Sequence, residues 1–130
     1  MTYTLGIDIG TYETKGVLVD TTGTIHAQAA RSHKMLVPKP GWAEHSPEQD
    51  WWGDFIFICR TLLSESDVAA SQIKAVACSA IGPCMLPVDA SGNPLMNAVL
   101  YGVDGRAEAE VRELTMLSLI HISEPTRRRG

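Results

Sequence analysis

The sequence predicts an α/β fold with a mixed sheet, and three observations carry that prediction. Three short segments rich in apolar and β-branched residues open the chain and are separated by turn residues. A strongly amphipathic segment follows, and further short apolar segments come after it. Strands that alternate with helices along one chain are typical of an α/β architecture. The chain has 130 residues, which is enough for one domain or part of one.

The first three segments predict a β-meander, that is, three antiparallel strands joined by tight turns. The strands are predicted over residues 4–8, 15–20 and 25–30. Gly10 follows the first strand, and Gly23 lies between the second and the third, where a glycine adopts tight-turn geometry at little cost. The chain is therefore expected to begin with three adjacent strands.

A helix is predicted from residue 47 to residue 64. Ser46 suits the N-cap, Pro47 suits the first helical position, and Gln49 completes a capping box. The apolar side chains that follow recur every three or four residues, which is typical of a helix that buries one broad face. They are Trp51, Trp52, Phe55, Ile56, Cys59, Leu62 and Leu63.

The second half of the chain predicts more strands and a second helix. Residues 73–78 are expected to form a central strand and residues 85–89 another strand. A turn follows over residues 89–93, and residues 95–101 are expected to be extended. Residues 106–116 contain strong helix formers with charges at helical spacing. The predicted order is therefore βββαββα.

Composition and charge argue against several classes of function. The chain carries 15 acidic and 11 basic side chains, a net charge of -4, which argues against binding nucleic acid or anionic lipid through a basic surface. It has no signal peptide pattern and no apolar run long enough to span a membrane, so a cytoplasmic location is expected. Cys59, Cys78 and Cys84 lack zinc or redox spacing and are expected to be buried small hydrophobic residues.

The string GIDIGTYETK, residues 6–15, is the first candidate site. Asp8 ends the first strand, Gly10 and Thr11 form the turn, and Lys15 lies on the second strand. Backbone N–H groups in a tight turn can converge on a phosphate, and one carboxylate can hold a hydrated Mg²⁺ beside it. The same residues are also compatible with a hairpin turn that binds nothing and leaves Lys15 in solvent.

This string resembles the first phosphate motif of the actin, Hsp70 and sugar kinase superfamily, whose ribonuclease H-like domain has a β-meander, a mixed sheet and flanking helices. Two further strings narrow the resemblance to the FGGY carbohydrate kinases. Residues 41–52, GWAEHSPEQDWW, are similar to the W-x-E-x-x-P-x-x-W-W signature of that family. Residues 86–110 are similar to the segment that carries an aromatic residue and a D-x-R motif near the sugar. All three strings occur in the family order.

The resemblance implies an ATP-dependent sugar kinase of which this chain is an incomplete amino-terminal part. It implies that Asp8 positions Mg²⁺ and that Gly10, Thr11 and Lys15 meet the phosphates of ATP. The family's catalytic Asp, in a G-x-x-D-x segment, is expected downstream, so no catalytic residue is assigned here and the isolated chain is expected to be inactive. The resemblance also allows a homodimeric parent, and it implies neither a nucleic-acid partner nor a membrane partner.

The resemblance further implies that Tyr101, Asp104 and Arg106 line the sugar pocket. Asp104 is equally compatible with a cap on the helix that starts near Arg106. The expected substrate is a pentulose such as xylulose, although Pro83 stands where typical xylulokinases have the His of a G-Q-M-H-G segment. A hexulose, another pentulose, a polyol or a sugar acid therefore stays open.

Two other readings of the chain compete with a kinase fragment. One is a nucleotide-binding module like actin or Hsp70 without kinase activity, which shares the first motif but lacks the other two. The other is a non-catalytic domain that binds a partner through an unfilled sheet edge.

The remaining expectations concern single residues and the carboxyl-terminal end. Trp51 and Trp52 are expected to pack on the core face of the helix, Trp42 to contact or cover that helix, and Glu44 to be a solvated or capping acid. His26, His33, His45 and His121 have no evident partners. Residues 1–116 are expected to be the amino-terminal part of the first kinase domain. Residues 117–130, with LSLIHISEPTR, resemble a translated sequencing adapter and are predicted to be a non-native tail.

Overall fold

The structure is a computed structural model that describes residues 1–122. Its elements follow the order β1 (Tyr3–Ile9), β2 (Glu13–Asp20), β3 (Ile25–Ser32), β4 (Glu44–His45), α1 (Asp54–Ser64), β5 (Ile73–Ala80), β6 (Ala98–Val99) and α2 (Glu108–Ile122). A π-helical segment, Pro47–Gly53, leads into α1, and a short 3₁₀ turn, Ala70–Gln72, precedes β5.

The main sheet has four strands in the order β3-β2-β1-β5. Strands β1, β2 and β3 pair antiparallel, and β5 pairs parallel to β1. The predicted meander and the mixed α/β sheet are therefore confirmed. The prediction of a central strand at residues 73–78 is wrong for the described residues, because β5 forms an edge of this sheet. The side chain of Val76 is 55% exposed there.

The hydrophobic core lies between this sheet and α1. Leu5, Leu18, Ile58 and Leu62 are almost completely buried in it. Gly16 lies directly under α1, because a Cβ atom built there would be 2.2 Å from Cγ2 of Ile58. The absence of a side chain at this position therefore sets how closely α1 approaches the sheet.

The predicted helix at residues 47–64 is confirmed in its bounds, and its start differs in detail. The hydroxyl of Ser46 accepts a hydrogen bond from the N–H of Gln49 at 3.3 Å, as expected for the cap. The reciprocal bond is not made by Gln49, because the carboxylate of Asp50 accepts from the N–H of Ser46 at 2.8 Å. The first turns are wound as a π-helix, which places the side chain four residues after the cap next to it.

The same winding explains why Trp52 does not face the core as predicted. A π-helical segment holds more residues per turn than an α-helix, so it shifts the faces of the first turns relative to α1. Trp52 is 62% exposed, and its ring stacks on that of Phe55 with 5.5 Å between centroids. Helical spacing counted from the sequence therefore assigns Trp52 to the wrong face.

The second half of the chain is less regular than predicted. Residues 85–89 form only isolated bridges, Met85 with Val99 and Val88 with Pro94, because proline residues interrupt the ladder. The turn at residues 89–93 is confirmed by hydrogen bonds from the N–H groups of Ser91 and Asn93 to the carboxylate of Asp89.

The second helix starts two residues later and ends six residues later than the predicted 106–116, at Ile122. It therefore continues through the start of the predicted tail, whose residues 123–130 lie outside the described part. None of the helices in the described residues is long and apolar enough to cross a membrane.

The expected burial of the cysteines is wrong for Cys78, which is exposed on the edge strand β5. Cys59 and Cys84 are half-buried, and burial raises the pKa of the Cys59 thiol.

Candidate functional site

An open cleft of about 360 Å³ lies on β1, β2 and β5. Side chains alternate along each strand, so residues next to the core-facing Leu5, Ile7 and Gly16 point to the other side of the sheet. Small residues form much of the cleft floor, which leaves room for a ligand over the strands. The lining includes Gly6, Asp8, Lys15, Val17, Ala77 and Ser79.

Asp8 lies in the middle of a row of polar residues across this cleft. It pairs with Lys15 of β2 on one side and with Ser79 of β5 on the other. Its side chain is exposed and has no hydrogen-bond partner among the described residues. Lys15 contacts the carboxylate of Glu13 at 3.2 Å, a well-exposed pair that constrains the ammonium group little. Asp8 and Lys15 are therefore both available to a ligand.

Gly10 and Thr11 form the turn between β1 and β2, as predicted. The N–H of Gly10 donates to the carbonyl of Glu13 at 3.0 Å. A Cβ atom at Gly10 would be 2.9 Å from that same oxygen, so the tightness of the turn requires glycine. The structure thus brings the turn next to the end of the strand that carries Asp8.

Two histidines contact the carbonyl groups of this turn. No motif identifies them, although His45 lies within the tryptophan-rich string, residues 41–52. Nε2 of His33 is 3.0 Å from the carbonyl oxygen of Gly10, and Nε2 of His45 is 2.8 Å from that of Thr11. The backbone N–H of His33 donates to the carbonyl of Tyr12 at 2.9 Å. Three successive carbonyl groups of the turn are therefore bound by two residues.

Both histidine rings are themselves held by partners from the helical region. Nδ1 of His33 is 2.8 Å from a carboxylate oxygen of Asp54, whose other oxygen is 3.2 Å from Nε of Arg31. Nδ1 of His45 accepts from the indole N–H of Trp51 at 3.1 Å. Burial lowers the pKa of His45, which favours the neutral ring that this acceptor role requires. Asp54 and Trp51 belong to the helical region, so that region fixes the turn.

The structure separates the second predicted group: Asp104 and Arg106 pair with each other, and Tyr101 is exposed. Nε and Nη2 of Arg106 donate to the carboxylate of Asp104 at 2.8–3.0 Å. Nη2 of Arg106 also donates to Glu44 at 2.8 Å, and its guanidinium carbon lies 3.9 Å from the centroid of the Trp42 ring. Asp104 and Arg106 are therefore engaged in a network inside the protein.

The structure contradicts the expectation that Glu44 is solvated, and it gives Trp42 two cationic neighbours. Glu44 is not solvated: it is 6% exposed, because Arg106 and the side-chain amide of Asn97 both bind its carboxylate. The ring of Trp42 lies between the cationic groups of Lys39 and Arg106, and its expected contact with the helix stays a prediction. The contacts made by Arg106 could not be inferred from the sequence, because Arg106 is far from both Glu44 and Trp42 along the chain.

Charge pairing shifts the pKa values in the network in the expected directions. The hydrogen bonds from Arg106 hold the pKa of the Asp104 carboxyl down at about 2. The pKa of Glu44 is also lowered, first by Asn97 and then by Arg106, and that of Arg106 is raised, chiefly by Asp104. All three groups are therefore charged at neutral pH. Asp104 also accepts from the N–H of Arg106 at 3.0 Å, before α2 begins, which agrees in part with the capping alternative.

Tyr101 is 66% exposed and faces outward from this network. A Cβ atom at Gly82 would be 3.5 Å from Cδ1 of Tyr101, so the tyrosine ring lies against the loop that follows β5 and contains Pro83. The N–H of Ile81 donates to the carbonyl of Ile9 at 2.9 Å, which ties this loop to the end of β1. Tyr101 and the Gly10–Thr11 turn are therefore both near the carboxyl ends of β1 and β5.

The residues at this edge fit a magnesium ion that arrives with a nucleotide. Within residues 1–122, no group of three or more His, Cys, Asp or Glu side chains is arranged to hold a metal ion. Asp8 alone offers an unpaired, exposed carboxylate in the cleft. Mg²⁺ keeps several waters and usually takes one or two carboxylates together with phosphate oxygens. One carboxylate therefore suffices for such an ion.

Comparison with known proteins gives consistent results. The family model described as the amino-terminal domain of the FGGY family of carbohydrate kinases matches residues 3–127. A glycerol kinase from Methylibium petroleiphilum is 34% identical over 102 residues, covering 78% of this chain and 20% of the relative. The chain thus spans about a fifth of the length of the curated relatives it matches.

Solved structures give the same fold. A xylulose kinase from Rhodospirillum rubrum has a TM-score of 0.77 and 30% identity, over 88% of this chain and 23% of that protein. A gluconate kinase from Lactobacillus acidophilus has a TM-score of 0.80 and 25% identity, over 90% of this chain and 23% of that protein. These two kinases and the glycerol kinase differ in the substrates that their names give.

Proposed function

Because the chain belongs to the FGGY family of carbohydrate kinases, we propose that it is the amino-terminal part of an ATP-dependent kinase. The parent enzyme transfers a phosphoryl group from ATP to a hydroxyl group of a small sugar or polyol. Family membership favours this function over a module like actin or Hsp70 without kinase activity. The cytoplasmic location, the homodimeric parent and the non-native origin of residues 117–130 stay predictions.

The proposal rests on one observation: groups that suit a polyphosphate and an aromatic ring that suits a sugar lie at the same edge of the sheet. Asp8, Lys15 and the Gly10–Thr11 turn offer a carboxylate, a cation and backbone N–H groups that suit a polyphosphate and its cation. Tyr101 offers an exposed aromatic face that suits the C–H groups of a sugar. A phosphate donor and a hydroxyl acceptor bound at these positions would be neighbours.

Phosphoryl transfer asks a protein mainly for positioning and for neutralisation of charge. In this proposal Gly10 and Thr11 orient the phosphate groups through the backbone, and Lys15 adds a positive charge. Asp8 would hold Mg²⁺, which supplies charge neutralisation when bound. The carboxylate that accepts the hydroxyl proton is proposed to lie in the part of the parent enzyme outside these residues, so the 130-residue chain alone is expected to be inactive.

Tyr101 has a different role from Asp104 and Arg106 at the proposed sugar site. We propose that Tyr101 contacts the substrate, while Asp104 and Arg106 hold its loop against residues 41–44. The N–H groups of Leu100 and Gly105 donate to the carbonyls of Ala43 and Gly41 at 3.0 and 2.8 Å, which supports that positioning role.

Glycerol and a pentulose such as xylulose are the two substrates that we propose to test first. Glycerol kinases and a xylulose kinase reach similar identities to this chain, 34% and 30%. Pro83, which follows the Gly82 that lies against the Tyr101 ring, cannot donate a side-chain hydrogen bond as the His of typical xylulokinases does. That substitution favours a substrate that is held by the aromatic face and by groups elsewhere in the parent enzyme.

The test is to express the complete reading frame that contains this chain and to measure ADP release with glycerol, xylulose and gluconate. Substrate-dependent ADP release that is lost in the Asp8→Asn variant would support both the reaction and the phosphate site. Tyr101→Ala should raise the KM for the accepted substrate and leave the KM for ATP nearly unchanged. A complete protein with no activity on any sugar or polyol would contradict the proposal.

A further inference from the structure

The peptide groups of the turn after β1 have a fixed orientation, and two histidines set it. Nε2 of His33 binds the carbonyl of Gly10, and Nε2 of His45 binds the carbonyl of Thr11. A trans peptide unit is planar, with its N–H antiparallel to its C=O. The N–H groups of Thr11 and Tyr12 therefore point away from the histidines, and neither has a protein acceptor among the described residues.

We propose that His33 and His45 are positioning residues, which hold these two N–H groups toward the phosphate groups of the nucleotide. The inference rests on the proposed function, since it assigns the nucleotide to this turn. Successive N–H groups that point to one side form an anion-binding concavity. A turn that is free to rotate its peptide units would lose that concavity in part of the population.

The hydrogen-bond partners also determine which nitrogens of each ring have to donate. Both nitrogens of His33 face acceptors, a carbonyl oxygen and a carboxylate oxygen of Asp54, so both bonds form together only when the ring carries two protons. Nδ1 of His45 accepts from Trp51, so His45 is neutral and donates through Nε2 alone.

Burial makes this arrangement rigid. The His45 residue is completely buried and the side chain of His33 is 3% exposed. Their rings meet edge to face with 4.8 Å between centroids, so neither ring can turn without displacing the other. Asp54, at the start of α1, is 2% exposed and fixes the far side of His33. The histidines thus transmit the position of the helix to the turn.

His26 provides a matched control within the same chain. Its ring is 2.8 Å from the carboxylate of Asp20 and makes no contact with the Gly10–Thr11 turn among the hydrogen bonds of the described residues. A histidine that only packs or pairs with an acid would behave like His26. A histidine can orient the peptide groups of the turn only if it binds one of the turn's carbonyl oxygens. His33 and His45 make such a bond, and His26 does not.

The experiment uses the ¹⁵N-labelled 130-residue chain and follows the amide signals of Thr11 and Tyr12. ATP with Mg²⁺ is titrated into the wild type, His45→Leu, His45→Gln, His33→Gln and His26→Gln, and backbone order parameters are measured without ligand. We expect His45→Leu to lower the order parameters of both amides and to weaken ATP binding about tenfold, the loss of about one net hydrogen bond. His45→Gln keeps a donor near the same place and should recover most of the affinity, and His26→Gln should match the wild type.

The outcomes separate this inference from the proposed function. If the wild type binds ATP at the turn and His45→Leu binds equally well, the positioning role is wrong while the phosphate site stands. If ATP shifts neither amide in the wild type, the phosphate site itself is wrong. If His45→Leu does not fold, the partner variant Trp51→Phe removes the bond that orients His45, and unchanged order parameters of both amides in that variant would overturn the inference.

Discussion

Replacing Gly16 by alanine should destabilise the protein, although two effects of opposite sign act at this position. Gly16 does not have a positive φ, so alanine fits the backbone and restricts the unfolded chain, a gain of about 0.4–1 kcal/mol. The new Cβ atom would be 2.2 Å from Cγ2 of Ile58 and 3.1 Å from Cδ1 of Leu62. Both side chains are completely buried and cannot move away freely. Overpacking of this kind costs about 1–3 kcal/mol, so the steric effect wins.

Chemical denaturation followed by circular dichroism measures the difference, with Gly6→Ala as the control. A Cβ atom at Gly6 would be 3.5 Å from Cγ2 of Val17, an ordinary contact, so that variant should be neutral or slightly more stable. Ile58→Ala removes the atom that clashes, so Gly16→Ala should cost at least about 1 kcal/mol less in that background. Equal stability of the Gly16→Ala and Gly6→Ala chains would refute the packing argument.

Three further predictions concern the site, the ion-pair network and the tail. In the complete enzyme, Asp8→Ala should lower kcat by orders of magnitude with a smaller effect on the KM for the sugar, because cation and phosphate geometry matters most in the transition state; steady-state kinetics with unchanged kcat would contradict this. The folded-state pKa of Asp104, about 2, lies below the usual 3.8 because of Arg106, so its stabilising contribution is complete above pH 4 and is lost as the pH falls toward 2; denaturation midpoints across this range should fall more for the wild type than for Asp104→Asn. Deletion of residues 117–130 should leave the free energy of unfolding unchanged or raise it, because Leu114 and Met116 in the preceding turns are already 63% and 69% exposed; a clear loss of stability would show that the tail is native structure.

The parts of the fold that the sequence predicts well depend on residues close together in the chain. Ser46 and Pro47 mark the helix start by local chemistry, and the predicted meander follows from turn residues between short apolar runs. The π-helical winding after Pro47 has no counterpart in α-helical spacing rules, so those rules place Trp52 on the core face. The edge position of β5 depends on which strands come beside it, and a run of small and β-branched residues does not carry that information.

In the candidate site, too, the residues that are close together in the chain can be predicted from the sequence, and the residues that support them from a distance cannot. Asp8 and Gly10 stand in one short string, so their proximity follows from a single hairpin. The burial of Glu44 follows from Arg106, which is 62 residues away in sequence. His33 and Asp54 are 21 residues apart and meet only because α1 packs on the meander. Such long-range pairs leave no periodic pattern in the sequence, so the supports of the turn could be found only in the structure.

The parallel pairing of β1 with β5 affects the order in which the chain folds. Leu5 pairs with Leu18 in the first hairpin, but with Val76, about 70 residues away, in the parallel pair. Closing the longer loop costs more chain entropy, and during synthesis β5 leaves the ribosome only after β1 to β3 and α1. We therefore expect the meander and α1 to associate first and β5 to dock last. The turn at Gly10 would then be in place before Ala77 and Ser79 complete the floor of the cleft, so the last step of folding is also the step that forms the proposed ligand site.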